Sequence, residues 1–212
     1  MTTQIGLISD VHASPIPLQQ ALDLFARENV DEIICAGDIA GYFDSLESTI
    51  ELLIQSNCKT IMGNHDQTYL DSRAAGENHK SRDFLQALPL TLELRIEEKR
   101  ILVVHAQPPS GQHGGIKLLR QNGDIDPQFK HHWSTRLEGL DQDILIVGHT
   151  HQVFAERLGE VLVINPGSSQ FNHSCMILSL PDLKVRTFSL ENRDIVKCWN
   201  FSMLRPRTTN LI

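Results

Sequence analysis

Along the first part of the chain the apolar positions recur with two different periods. In QIGLIS (4–9), DEIICAG (31–37) and KTIMG (59–63) they run together as short β-branched stretches, the pattern of strands buried on both faces. Between them, PLQQALDLFARENV (17–30) and SLESTIELLIQSN (45–57) set Leu18, Leu22 and Phe25, then Leu46, Ile50 and Leu53, at helical spacing. The order β-α-β-α-β predicts parallel strands joined by helices. A polar, helical stretch is expected from GNHD (63–66) to Leu88. From Pro89 the period falls to two: Leu92, Leu94 and Ile96 face one way across TLELRIEEKRILVVH, which predicts a hairpin turning at EEKR (97–100). Residues 106–136, rich in Pro, Gly, Gln and His, show little periodicity, and a connection of that length inside a compact domain is commonly functional. The strand-like runs DILIVG, VFAERL, VLVIN, SCMILSL and KVRTFSL then make the carboxyl half mostly β, with no long helical crossover after residue 143.

Length and composition bound the class. A chain of 212 residues, 41% hydrophobic and 6% aromatic, suits a single globular domain over residues 1–212, with about the last ten residues a weakly ordered tail. A formal net charge of -7 argues against stable nucleic-acid or membrane-surface binding, which needs a basic footprint. The amino terminus lacks a basic segment followed by an apolar stretch, and no run approaches the roughly 18 apolar residues of a membrane span. A soluble, cytoplasmic protein is expected. Cys35, Cys58, Cys175 and Cys198 are far apart and form no CxxC pair, which favours reduced thiols. The ten histidines raise the prior for a metal site.

The histidines are not scattered. At the end of one strand after another a hydrophobic run stops and a Gly or Ser is followed by Asp, Asn or His: Asp10 and His12 in SDVH, Asp38 in GDIAG, Asn64, His65 and Asp66 in GNHD, His105 in VVH, His149 and His151 in GHTH. In open α/β sheets these carboxyl-end loops face a common crevice. Each motif alone reads more easily as a cap or a turn. Five strand ends together do not, because caps do not call for histidine. The set Asp10, Asp38, Asn64, His12, His105, His149 and His151 joins carboxylates, an amide oxygen and imidazoles without cysteine, which suits borderline divalent ions rather than calcium. It is too large for one tetrahedral site, so two ions are implied, and their four charges outweigh those of Asp10 and Asp38. That local surplus can hold a phosphate within an acidic chain.

In order and spacing, DVH, GDIAG, GNHD, VVH and GHTH resemble the signature of the calcineurin-like metallophosphoesterases, and NPGS (165–168) extends the likeness over most of the chain. The stretch GDIAGY is similar to the short, single-domain microbial phosphodiesterase branch. Ala13 and Ser14 stand where many members have Gly and Asn, and Ala106 where Gly is usual. GDIAGYFD lacks the arginine that follows this motif in protein phosphatases, which argues against that activity.

The resemblance implies an α/β fold, a four-layer α/β/β/α sandwich of two mixed sheets flanked by helices. It implies that Asp10, His12 and His151 bind one ion, that Asn64, His105 and His149 bind the other, that Asp38 bridges them, and that His65 is the general acid or a transition-state stabiliser. The ions would be two divalent transition metals, manganese first, with iron, zinc, nickel or cobalt as alternatives. A hydroxide held between ions roughly 3.5–4 Å apart would attack phosphorus in line. The expected activity is hydrolysis of a small or nucleotide-like phosphodiester. The alternatives are a phosphomonoesterase, a dinucleoside polyphosphate hydrolase and, against a full set of competent residues, a protein-interaction scaffold like a retromer subunit of this fold.

Other residues admit a functional and a plain reading. Tyr42 and Phe43 could stack a nucleobase or simply pack. FKHHWS (129–134), with His131, His132 and Trp133, could line the substrate pocket or lie on the surface. His79, His113 and His173 take no metal role, though His113 is a candidate substrate contact. The sequence leaves a small homo-oligomer open.

Overall fold

The computed structural model describes residues 2–72, 79–200 and 203. Its first elements follow the expected alternation: strand β1 (Thr3–Ile8), helix α1 (Pro15–Arg27), strand β2 (Glu32–Cys35), helix α2 (Leu46–Gln55) and strand β3 (Lys59–Thr60). β1, β2 and β3 pair in parallel. Helix α1 opens on Pro15, whose fixed φ suits a first turn, and buries Leu18, Leu22 and Phe25. β3 is shorter than KTIMG suggests. The Ile61 N–H still donates to Cys35 O at 3.2 Å, but that of Met62 turns away to Pro89 O at 2.8 Å.

The polar stretch that follows contains two helices, α3 (Asn64–Asp71) and α4 (His79–Gln86). Strands β4 (Thr91–Ile96) and β5 (Lys99–Val104) form the expected hairpin, with Ile96 opposite Lys99. Its turn is Glu97–Glu98 alone, at φ 47° and 61°, so Lys99 and Arg100 belong to the strand. Positive φ at both central residues is the primed geometry that matches strand twist. Within 106–136 the chain is not structureless, since helix α5 (Pro127–Arg136) starts where Asp126 accepts the Gln128 N–H at 2.8 Å. The remaining strands are β6 (Ile144–Ile146), β7 (Val153–Leu158), β8 (Val161–Pro166), β9 (Ser174–Leu180) and β10 (Lys184–Ser189).

Two mixed five-stranded sheets result, in the orders β10-β9-β1-β2-β3 and β4-β5-β6-β8-β7. Side chains from alternate positions fill the space between them: Ile5, Leu7 and Ile34 from one sheet meet Ile101, Val103, Ile144, Ile146 and Ile164 from the other. The intervening residues point outward. Ile8 and Cys35 pack beneath α1, α2 and α4 through Phe25, Leu53 and Leu85. Leu102, Val104, Leu145 and Val147 pack beneath α5 through Trp133 and Leu137. Both faces of the inner strands are thus covered, which is why β1, β2, β6, β8 and β9 are nearly continuous in hydrophobicity, whereas the edge strands β4 and β10 alternate; the fold is the α/β/β/α sandwich. All four cysteines are free thiols. Among the described residues no helix is long and apolar enough to cross a membrane. Apart from Met203, the expected tail lies outside the described residues.

Candidate metal centre

The parallel strands of both sheets deliver their carboxyl ends to one edge of the sandwich. Asp10 and His12 follow β1, Asp38 follows β2, Asn64 and His65 open α3 after β3, His105 follows β5, and His149 and His151 follow β6. Asp10, His12, Asp38, His149 and His151 take left-handed backbone conformations, with φ from 48° to 64°. Asp, Asn and His tolerate that region better than most residues, and clusters of such strain mark functional sites. Backbone bonds zip the first two loops together: Asp10 N–H donates to Gly37 O at 2.9 Å, His12 N–H to Asp38 O at 3.0 Å and Ala13 N–H to Ile39 O at 2.6 Å.

The side chains converge in two adjacent groups. In the first, His151 Nε2 lies 3.2 Å from Asp10 Oδ1 and 3.1 Å from His12 Nε2. In the second, Asn64 Oδ1 lies 3.1 Å from His105 Nε2 and 2.8 Å from His149 Nδ1, and His105 Nε2 lies 3.4 Å from Asp38 Oδ2. Asp38 joins the two, since its ligand atoms come within 4.8 Å of those of His12 and His65 on one side and of His105 and His149 on the other. Second partners fix two of the rings: His12 Nδ1 meets Ala40 O at 3.2 Å and His105 Nδ1 meets Ala36 O at 2.7 Å. A carbonyl can only accept, so each Nδ1 carries a proton and Nε2 is the atom turned to the crevice, with a lone pair there whenever the ring is neutral.

Burial and charge together set the ionisation of the metal-free site. Burial by itself would raise the Asp10 and Asp38 carboxyls, yet His151 beside Asp10 and His105 beside Asp38 hold both below the ordinary carboxylate range. His105, against the effect of its own burial, is raised to about 9 by the Asp38 charge. Burial pushes His12 and His149 down to about 4, so both are neutral and fit to act as ligands near pH 7. This donor set of carboxylate, amide oxygen and neutral imidazole fits borderline divalent ions.

The glycines of the motifs are required by space. A Cβ on Gly63 would stand 2.1 Å from Asp38 Oδ1, and one on Gly148 would stand 2.7 Å from Asp10 Oδ2. A second set of residues, not singled out from the sequence as site residues, holds the loops. Buried Asp66 accepts the Ala40 N–H at 2.7 Å and the Gly63 N–H at 2.8 Å, tying the Asp38 loop to the start of α3; burial and then the Asp38 charge push its carboxyl up to about 7. In NPGS, Asn165 Nδ2 donates to Gly148 O at 2.9 Å and Ser168 Oγ to Asp10 O at 2.6 Å. Asn172 Nδ2 donates to His151 O at 2.9 Å. NPGS was visible as a motif, but nothing in the sequence marked Asn172.

His65 sits half-buried above both groups, its backbone N–H donating to Asp38 Oδ1 at 2.8 Å and its ring centroid 5.0 Å from that of His12. The ring of exposed His113 lies 6.2 Å from His149. His131, His132 and Trp133 fall on α5, where Trp133 is buried in the outer cluster, and none of them lines the cavity over the site. Of the two readings of FKHHWS, the surface one therefore describes the exposed His131 and His132, while Trp133 is buried against the outer face of the sheet. The side chain of His79 lies outside the described residues.

An α/β/β/α sandwich carrying paired carboxylate–histidine groups at the carboxyl edge of its sheets defines a class of phosphoesterases. The chain matches the calcineurin-like phosphoesterase superfamily domain over residues 3–180, and it belongs to that superfamily, whose members use divalent metal ions. A probable metallophosphoesterase of Methanothermobacter thermautotrophicus is 32% identical over 168 residues, covering 77% of this chain and 76% of the relative. A protein of Methanocaldococcus jannaschii named phosphodiesterase is 26% identical over 170 residues, covering 77% and 82%. The crystal structure of a hypothetical protein from Pyrococcus horikoshii shares the fold with a TM-score of 0.72 at 18% identity, over 89% of this chain and 88% of that one.

Proposed function

We propose that this protein is a dinuclear metal-dependent phosphodiesterase acting on a small or nucleotide-like phosphoester. Asp10, His12 and His151 would hold one divalent ion and Asn64, His105 and His149 the other, with Asp38 shared. The observation that carries this reading is the position of Asp38, whose carboxylate reaches both groups of ligand atoms at once. Manganese is the first candidate for both ions. When bound, the ions neutralise charge developing on the phosphoryl oxygens and make a nucleophile available from water at neutral pH.

The chain's own part is positioning and proton transfer. His65, left out of the proposed ligand set although a ring nitrogen comes within 4.8 Å of ligand atoms of His12 and Asp38, and held in place by its backbone bond to Asp38, would donate a proton to the departing ester oxygen. A diester suits the cavity better than a monoester: among the described residues Lys117 is the only Lys or Arg lining it, and none of the lining residues is an arginine of the kind that grips a dianionic terminal phosphate. The name of the Methanocaldococcus relative supports the same preference. The free thiols support a reducing compartment, the cytoplasm.

The test compares turnover of bis-p-nitrophenyl phosphate, p-nitrophenyl phosphate and a dinucleoside polyphosphate by manganese-loaded protein. The diester should win by about tenfold or more, a difference of about 1.4 kcal/mol in transition-state binding. A monoester or polyphosphate preference would replace the diester reading. No turnover by protein carrying two ions would end the enzyme reading.

A further inference from the structure

The cavity over the candidate metal centre, about 280 Å³, is lined by two aromatic rings that the phosphoesterase chemistry leaves unused, Tyr42 and Trp199. Tyr42 lies in the left-handed region at φ 59°. For a bulky side chain that is an outlier, kept only where the surroundings over-determine it. The turn brings its ring edge-on to His12 at 4.6 Å and to 4.8 Å from His65. Trp199 arrives from the other end of the chain, on the segment after β10. There Val153 N–H donates to Lys197 O at 2.9 Å and Trp199 N–H to His151 O at 3.1 Å, which sets the indole 4.9 Å from the His151 ring.

Phe171 backs both rings. It stacks on Trp199 at 4.2 Å with planes 16° apart and meets Tyr42 edge-to-face at 5.2 Å. Packing accounts for Phe171, which is 7% exposed, but not for Tyr42, which keeps 43% of its surface exposed at the mouth of an ionic site. Tyr42 neighbours His65, the group assigned to the departing oxygen, so a ring carried by the leaving group passes beside it. The other wall of the cavity is polar, with Lys117, Thr150 and Asn200.

We infer that Tyr42 and Trp199 form a stacking subsite for a nucleobase, so that the substrates are small nucleoside phosphodiesters rather than diesters of aliphatic alcohols. The inference rests on the phosphodiesterase reading above. Rings already fixed by Phe171 and by backbone bonds lose little freedom on binding, so stacking is gained at low entropic cost. An aromatic face accepts any base, so the subsite selects the presence of a base rather than its identity. The net charge of -7 keeps long polyanionic strands away and leaves small nucleotides as the fitting class.

Adenosine 5′-monophosphate and ribose 5-phosphate share sugar and phosphate and differ by the base alone, which makes them the probes. Calorimetric titration of the manganese-loaded full chain should give an affinity about tenfold higher for the nucleotide. Trp199→Leu and Tyr42→Leu should each bring the ratio close to one. Trp133→Phe, remote in the outer cluster beneath α5, should leave it unchanged. Equal affinities in the unaltered protein overturn the inference, and so does a preference that survives both leucine substitutions. Turnover of bis-p-nitrophenyl phosphate reports separately on the parent reading. Diester cleavage without nucleotide preference sinks the subsite alone, whereas nucleotide preference without any diester cleavage sustains the subsite and sinks the phosphodiesterase.

Discussion

Asp38 and His65 are chain neighbours in effect, linked by the bond from the His65 backbone to the Asp38 carboxylate, yet they are assigned different work. Asp38→Ala should therefore lower the metal content of the purified protein and abolish turnover, whereas His65→Ala should keep the metal and lower kcat by about 10²–10⁴, the usual range for general acid–base catalysis. Metal analysis beside steady-state kinetics checks both, and metal loss in His65→Ala would show that its role is misassigned. The seven ligand-type residues and His65 were legible because each combines a residue type with a strand end. Their backbone conformations were not. Ala13 holds φ 56°, a region that favours glycine, and two opposing effects make this tolerable: left-handed strain of roughly 1–2 kcal/mol against roughly 0.8 kcal/mol from burying a methyl group, together with the lower chain entropy that Ala has in the unfolded state. Such near-cancellation leaves no signal in a sequence.

At the scale of elements, strands and amphipathic helices were legible wherever an apolar face was large, as in α1 and α2. Helix α5 was not, because Trp133 is its only buried side chain and Phe129 stays 45% exposed. Its Asp126-Pro127 start is a capping signal that a composition rich in polar residues concealed. The segment after β10 escaped for a different reason: its partners are backbone groups. Asn172 is the node, receiving the Ser168 N–H on Oδ1 at 2.7 Å and donating Nδ2 to the carbonyls of His151 and Val196. Asn172→Ala would take this partner from the buried Ser168 N–H and from Val196 O, leaving His151 O with the Trp199 N–H alone, at a cost of about 2–3 kcal/mol. Thermal melts should show a loss of roughly 5–10 °C for a chain of this size, with weaker metal binding through His151. An unchanged melt would mean that the segment is held elsewhere.

For the whole molecule, the two sheets matter because each supplies only part of the centre: β1, β2 and β3 bring Asp10, His12, Asp38 and Asn64, while β5 and β6 bring His105, His149 and His151. Which strands would be neighbours in each sheet was beyond the sequence, since pairing order follows from packing across the interior rather than from any one strand. The assembled centre predicts a pH dependence. In the metal-free fold His105 is raised to about 9, so it is protonated at pH 7 and stabilises the fold. That contribution is complete below the unfolded value of about 6.5 and disappears as pH rises through 9. An ion at Nε2 must displace this proton, whereas His12 and His149, at about 4, have none to lose. Manganese binding at pH 7.5 should therefore release about one proton from this ring, and apparent affinity should rise roughly tenfold per pH unit up to about 9. Calorimetry in two buffers of different ionisation enthalpy measures the release, and its absence would remove His105 from the ligand set.

The central claim is that two ions, joined through Asp38, act together on a phosphodiester. Its most direct test is the rate of bis-p-nitrophenyl phosphate cleavage by metal-stripped protein as manganese is added back, with bound metal counted at each step. Turnover should rise with the second equivalent, level off at two ions per chain and be absent in Asp38→Ala. Full turnover with one ion bound, or none with two, would contradict it.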